Sequence, residues 1–359
     1  MHRPAPPKAR GASGNPVNRY HEQYSEAVDD GWPGDGEAPP EPRTTVQAET
    51  SRTILTRNQS PDVPFDRSLN PYRGCEHGCI YCYARPSHAW MDISPGLDFE
   101  TRLFFKPEAP ELLRRELARP GYEPAPVALG SNTDAWQPVE RKLGITRGLL
   151  EVLRESRHPV CMVTKSALIE RDIDLLAPMA GEGLARCAVS LTTLDARLGR
   201  VMEPRAAPPK RRLLTIRRLA EAGIPVTVLV APVIPALTDH ELESLLEAAR
   251  EAGASSARMV MLRLPREVEG LFEAWLQEHF PDRAGHVMNR LRDLHRGRAC
   301  DHRFGQRMTG SGIFAELVAR RFRLAVERLG FGEAPPLCQD LFIPPPLETG
   351  SGQMSLPGF

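Results

Sequence analysis

Six short apolar runs divide the middle of this chain, at 66–72, 126–130, 159–164, 186–192, 225–230 and 258–263. A stretch with helical character follows each later run. Over 139–158, Leu143, Leu149, Leu150 and Leu153 fall on one face at helical spacing. Further helices are expected over 169–179, 210–222, 239–252 and from 269, and Gly223 and Gly253 stop the second and third of these. Runs that are continuous rather than alternating suit strands covered on both faces. Strand and helix in alternation predict a parallel sheet with right-handed crossovers. A doubly wound open sheet and a six-unit (βα)6 barrel satisfy the pattern equally.

The end of the first run carries the chemistry. Cys75, Cys79 and Cys82 stand at C-x3-C-x2-C spacing in a loop punctuated by Gly74 and Gly78. Thiolates are the ligands that soft metals and iron–sulfur clusters select. Three on one short loop can converge on a single centre, and a four-iron cubane held by three protein ligands keeps one iron open. Zinc held by the three cysteines with His77 or His88 is the alternative by ligand type.

The spacing, with Tyr81 just before the last cysteine, resembles the signature of radical S-adenosylmethionine (SAM) enzymes. Asn70 to Cys75 (Asn-Pro-Tyr-Arg-Gly-Cys) and Cys82 to Pro86 (Cys-Tyr-Ala-Arg-Pro) resemble the branch related to spore photoproduct lyase. The resemblance covers roughly 67–275 and implies an α/β fold, a six-unit partial TIM barrel with its site at the C-terminal ends of the strands. It implies a 4Fe–4S cluster on Cys75, Cys79 and Cys82, SAM on the open iron, reductive cleavage to a 5′-deoxyadenosyl radical, and a low-potential donor such as flavodoxin or ferredoxin. It points to DNA repair or lyase-like chemistry on nucleic acid, with modification of RNA or a protein residue, or a non-catalytic iron–sulfur or zinc module, as alternatives.

For SAM, the resemblance directs attention to the strand ends. Gly130, Ser131 and Asn132 stand where the family has a Gly-Gly-Glu-like segment for the SAM amino group, with Asp134 the nearest acid. Ser190 and Thr192 share a strand face and are expected to point inward. Arg205, with Arg200 second, is expected to meet the SAM carboxylate, while Lys165 could meet a carboxylate or phosphate and Arg263 a substrate. The lyase uses a barrel cysteine as hydrogen donor. Cys161, Cys187, Cys300 and Cys338 match no such motif position, so that reaction is not implied.

Composition sets the boundaries. Lys plus Arg and Asp plus Glu number 46 each, so no net charge draws the chain to nucleic acid or membrane. Seven cysteines without a signal-peptide core, and no apolar run near membrane-span length, predict a soluble cytoplasmic protein. Residues 1–50 read as a disordered arm, 51–275 as the barrel, 276–346 as a helical extension with arginines at 290–307, and 347–359 as a flexible tail. In that tail, Gln353 to Leu356 resembles the peptide by which bacterial proteins dock on the DNA sliding clamp.

Overall fold

The computed structural model describes residues 9–20 and 43–346. Its strands, in chain order, are β1 (Thr45–Ala48), β2 (Leu55–Arg57), β3 (Arg67–Leu69), β4 (Tyr72–Arg73), β5 (Arg102–Phe105), β6 (Val127–Leu129), β7 (Val160–Thr164), β8 (Ala185–Ser190), β9 (Val226–Val233) and β10 (Ser256–Met261). Seven of them form one sheet in the order β10-β9-β8-β7-β6-β3-β2. From β3 to β10 every neighbouring pair is parallel, and β2 is an antiparallel edge. Spatial order therefore follows chain order without reversal. A doubly wound sheet would turn back at a switch point, so the architecture is a partial barrel, with β2 and β10 as its free edges.

Helices Ile145–Glu155, Ile173–Gly181, Pro209–Glu221 and Leu242–Glu251 cover the outer face. Their apolar stripes, including Leu149, Leu153, Leu176, Ile216, Leu219, Leu245 and Leu246, are buried with Val160, Met162, Cys187 and Val189 of the strands in the main core. Burial alternates along β7 and most of β8 instead of running through. The unclosed barrel leaves the opposite strand face, with Cys161 and Arg186, half-covered. The helix expected over 139–158 divides at Gly144, whose φ of 67° suits a residue without a side chain.

The expected first strand is also split. Pro71 has no N–H to continue a ladder, so β3 joins the barrel while β4 pairs with β5 in a small sheet of order β1-β5-β4. Within the segment expected to be a solvated arm, the described residues 9–20 and 45–48 are instead held on the body. β1 pairs in parallel with β5 although all four of its side chains are exposed. Residues 9–20 also pack on the body, with Ala12 fully buried. Backbone hydrogen bonding holds both segments, and an apolar-content argument is blind to it.

Helices Glu267–His279 and Pro281–Leu294 pack together, and Ile313–Arg328 lies on Leu242–Glu251 through the Arg321–Glu243 pair at 2.6 Å. The chain then passes beneath the strand starts, where Cys338 N donates to Gly183 O and Ile343 N to Ser156 O, each at 2.9 Å. The clamp-like peptide at 353–356 lies outside the described residues. None of the described helices is long and apolar enough to cross a membrane.

Candidate active site

The cysteine loop follows β4, and its turns depend on glycine. Gly74 and Gly78 have φ of 76° and 67°. A Cβ on Gly78 would lie 2.7 Å from Glu100 Oε2. Cys75 N donates to Phe99 O at 2.9 Å and Cys82 N to Cys79 O at 3.2 Å. Gln137 clamps the loop from the β6 side, accepting from Glu76 N at 2.9 Å and donating to Gly74 O at 3.1 Å.

Beneath the loop sits a fully buried ion pair, Arg85–Glu100. Arg85 also donates to the carbonyls of Cys79 (2.9 Å), Gly78 (3.2 Å) and Gly96 (2.8 Å). Glu100 accepts from Gly11 N and Ala12 N, both at 2.9 Å. Burying two charges is costly unless their hydrogen-bonding capacity is filled, and here loop and arm fill it. The N-terminal segment is thereby tied across the loop.

Cys75 and Cys79 are buried, Cys82 is half-buried, and all three are free thiols. Burial pushes the Cys75 thiol well up, with Asp134, Cys79 and Cys82 adding to it, and pushes Cys79 up to about 12. Cys82 adds to the rise of both buried thiols, and Cys79 adds to that of Cys75. A centre that takes three thiolates suits this group, since it removes the protons and offsets the mutual repulsion. The histidines are engaged elsewhere: His77 Nδ1 lies 3.3 Å from Asp134, and His88 Nε2 lies 3.0 Å from Arg102 O. Among the described residues no three His, Cys, Asp or Glu side chains cage a single ion. A cubane, whose irons occupy separate corners, asks for more widely spread thiolates, so the donor set fits a cluster better than zinc.

Behind Tyr81 lies a second buried network. Its hydroxyl donates to Glu203 and lies 3.3 Å from Thr192 Oγ1, which donates to Glu203 Oε1 at 3.0 Å. Arg212 donates to Glu203 and, at 3.1 Å, to Ser190 O. Burial would raise the Glu203 carboxyl, but Arg212 and Lys165 hold it down at about 2. Burial would likewise lower Lys165, and Cys79 and Glu203 outweigh it, so the ammonium stays charged. Lys165 Nζ stands 5.8 Å from the Tyr81 ring centroid and makes no hydrogen bond or ion pair among the described residues.

The structure thus brings Tyr81 and Thr192 together, with Ser190 on the same strand end and its Oγ donating to Ala231 O at 3.1 Å. Arg205 is elsewhere. Its guanidinium pairs with Glu76 at 2.8 Å and its N–H donates to His77 O at 3.2 Å, on the flank of the loop. Gly130 (φ 85°) makes the turn after β6, where a Cβ would meet Val163 O at 2.5 Å. Asp134 is spent internally: Thr164 Oγ1 donates to it at 2.8 Å, Lys165 N at 2.7 Å and Trp136 N at 2.9 Å, besides His77. It is therefore unavailable to an ammonium ligand. Ser131 and Asn132 use only backbone atoms, the Ser131 carbonyl accepting from Tyr83 OH and Asn132 N donating to Asn70 Oδ1 at 3.0 Å. Their half-buried side chains have no partner among the described residues.

Glu203 and Arg212 were not singled out from the sequence. One signal was present: Arg212 lies on the same helical stripe as Thr215, Ile216 and Leu219, an arginine on a buried face.

Comparison with known proteins settles the family. The model of the radical SAM superfamily matches residues 69–249, just over half of the chain. The chain belongs to the radical SAM superfamily. Members use a 4Fe–4S cluster and SAM and need an electron donor, so this is an enzyme of that kind. An uncharacterized protein of Mycobacterium tuberculosis is 38% identical over 236 residues, 65% of this chain and 68% of that one. One from Methanocaldococcus jannaschii is 26% identical over 173 residues, 48% and 62% of the two chains. Spore photoproduct lyase complexed with dinucleoside spore photoproduct aligns over 79% of each chain with a TM-score of 0.55 at 14% identity. A double mutant of that lyase with bound AdoMet and dinucleoside spore photoproduct gives 0.54 at 14% identity, covering 79% of this chain and 78% of that one. At such identity the likeness is one of fold.

Proposed function

We propose that Cys75, Cys79 and Cys82 hold the 4Fe–4S cluster, that SAM binds beside it, and that the substrate is a nucleic acid. The observation that carries the cluster assignment is the trio of free thiols held on one clamped loop. With cluster and SAM bound, the family's chemistry is reductive cleavage to a 5′-deoxyadenosyl radical. The protein's part is to hold, orient and shield. Arg85, Glu100 and Gln137 fix the loop. Ser131 and Asn132 offer unspent oxygens to an ammonium. Lys165, a buried cation that makes no hydrogen bond or ion-pair contact through Nζ among the described residues, offers itself to the SAM carboxylate in the place expected of Arg205. Ser190, Thr192 and Tyr81 line the same neighbourhood and are held still by Glu203 and Arg212.

For the substrate, support comes from exposed arginines beyond the barrel, Arg290, Arg296 and Arg298, the last two in the segment that bonds to Leu262 and Leu264 beside Arg263. The dinucleoside bound by the structurally similar lyase points the same way. Among nucleic acids DNA is preferred, with RNA or a protein residue as the alternative to DNA, and sliding-clamp docking through 353–356 rests on sequence alone.

Two measurements test this. Replacing any of the three cysteines with Ala should abolish iron–sulfur absorbance and 5′-deoxyadenosine formation in anaerobically reconstituted protein, and a triple variant that still cleaves SAM would overturn the cluster assignment. Lys165→Ala should weaken SAM binding by tenfold or more, from the loss of about 1.5–3 kcal/mol for a charge-assisted contact, with iron content unchanged. Arg205→Ala should bind SAM within about twofold of the parent. Deuterium transfer into 5′-deoxyadenosine from labelled duplex DNA, RNA or peptide then decides the substrate class.

A further inference from the structure

The cysteine loop has an outer flank, and a cleft of about 390 Å³ opens there. His77, Pro138, Arg141, Lys142, Leu168 and Arg205 line it. His77 stands two residues from both Cys75 and Cys79, so whatever occupies the cleft touches the loop that carries the thiols.

The charge here is one-sided. The acids behind the cleft have buried, engaged side chains: Asp134 lies 3.3 Å from His77 Nδ1, Glu76 pairs with Arg205, and Glu140 pairs with Arg171 at 2.7 Å. Arg141 and Lys142, on the short helix Glu140–Leu143, are exposed and have no ion-pair partner among the described residues. A cleft of this size falls at the small end of metabolite pockets, but its charged, open lining suits no apolar ligand. A nucleic-acid track would need cations continuing along a groove. Here two unpaired cations flank one concavity, a match for a compact acidic loop on another protein. Rim charges of this kind steer encounter and set its salt dependence more than they add affinity.

We propose that this cleft is the docking surface for an acidic, low-potential electron-carrier protein, which presents its redox group to the outside of the cysteine loop. The inference rests on the cluster assignment above. The exchange is a single electron: the carrier is oxidised by one, the iron–sulfur group is reduced by one, and no bond or proton crosses the interface.

The test uses the full-length protein, the Arg141→Glu/Lys142→Glu double variant, and reduced flavodoxin and ferredoxin as probes. Binding of labelled flavodoxin and ferredoxin to the apoprotein, followed by fluorescence anisotropy, should weaken at least tenfold in the double variant. In the parent it should weaken steadily with added salt, a reading that needs no variant to fold. After reconstitution, the KM for the carrier should rise at least tenfold, while dithionite-driven SAM cleavage stays at the parent rate. Equal carrier binding by parent and variant overturns the proposal. So does a variant that loses duplex DNA binding but keeps the carrier, which would make the cleft a nucleic-acid surface. Failure of dithionite itself to drive SAM cleavage in the parent would count against the cluster assignment instead, and the binding measurement would still decide the docking site.

Discussion

Glu203 and Arg212 show how much depends on single side chains. Both are buried and each is the other's main counter-charge. Glu203→Gln or Arg212→Met alone should destabilise the apoprotein by about 3–5 kcal/mol, because each strands a buried charge. The double replacement Glu203→Leu/Arg212→Met should recover only part of that loss, because Lys165 still loses a counter-charge, as urea unfolding would report. The pair also marks the limit of what the residues disclose in order. Cys75, Cys79 and Cys82 are legible because spacing within one loop is enough to bring them together. Arg85 and Glu100, or Glu203 and Arg212, find each other only once turns and strand ends are placed. Arg205 shows the same limit: its nearness to the fourth strand end along the chain does not disclose its pairing with Glu76 on the flank of the loop.

At the scale of elements, the strands and outer helices follow periodicity closely because burial of apolar stripes decides them. The segments that periodicity missed, β1, β2, β5 and residues 9–20, are held by backbone pairing and by the Glu100 carboxylate. Gly11 lies so close to the loop that a Cβ would stand 1.8 Å from Gly78 O. Gly11→Ala should therefore lift the arm without touching the barrel. The expected outcome is a lower thermal midpoint for the apoprotein, because Glu100 loses two of its donors, and a several-fold shorter lifetime of the cluster's visible absorbance in air.

The whole molecule has a chemical end and a stabilising end. At the latter, Arg67 donates to Tyr122 OH at 3.3 Å, Tyr122 OH donates to His158 Nε2 at 2.8 Å, and His158 Nδ1 donates to Pro159 O at 3.0 Å, with Phe342 packed on both rings. Burial lowers His158 from 6.5 to about 4. Between those values the unfolded chain binds more protons than the native one, so stability is full above pH 6.5 and falls as pH drops towards 4. The contribution is on the order of 3 kcal/mol. His158→Gln should flatten the pH dependence of the thermal midpoint across that window while lowering its value at neutral pH.

The two free edges of the sheet lie on either side of a gap, and no strand among the described residues bridges it. Asp62, between β2 and β3, pairs with Arg307 and accepts from Gly305 N at 2.6 Å, while Met308 O accepts from Met261 N at 2.9 Å at the end of β10. Asp62→Ala should loosen this connection, read as faster proteolytic nicking within 300–310 of an otherwise folded protein. A closed barrel sets its bore by strand number and stagger. Here the bore is set by a buckle, one carboxylate fastened to one loop. Lengthening, trimming or refastening that loop offers a way to fit the cavity to larger or smaller guests without unpairing a single strand.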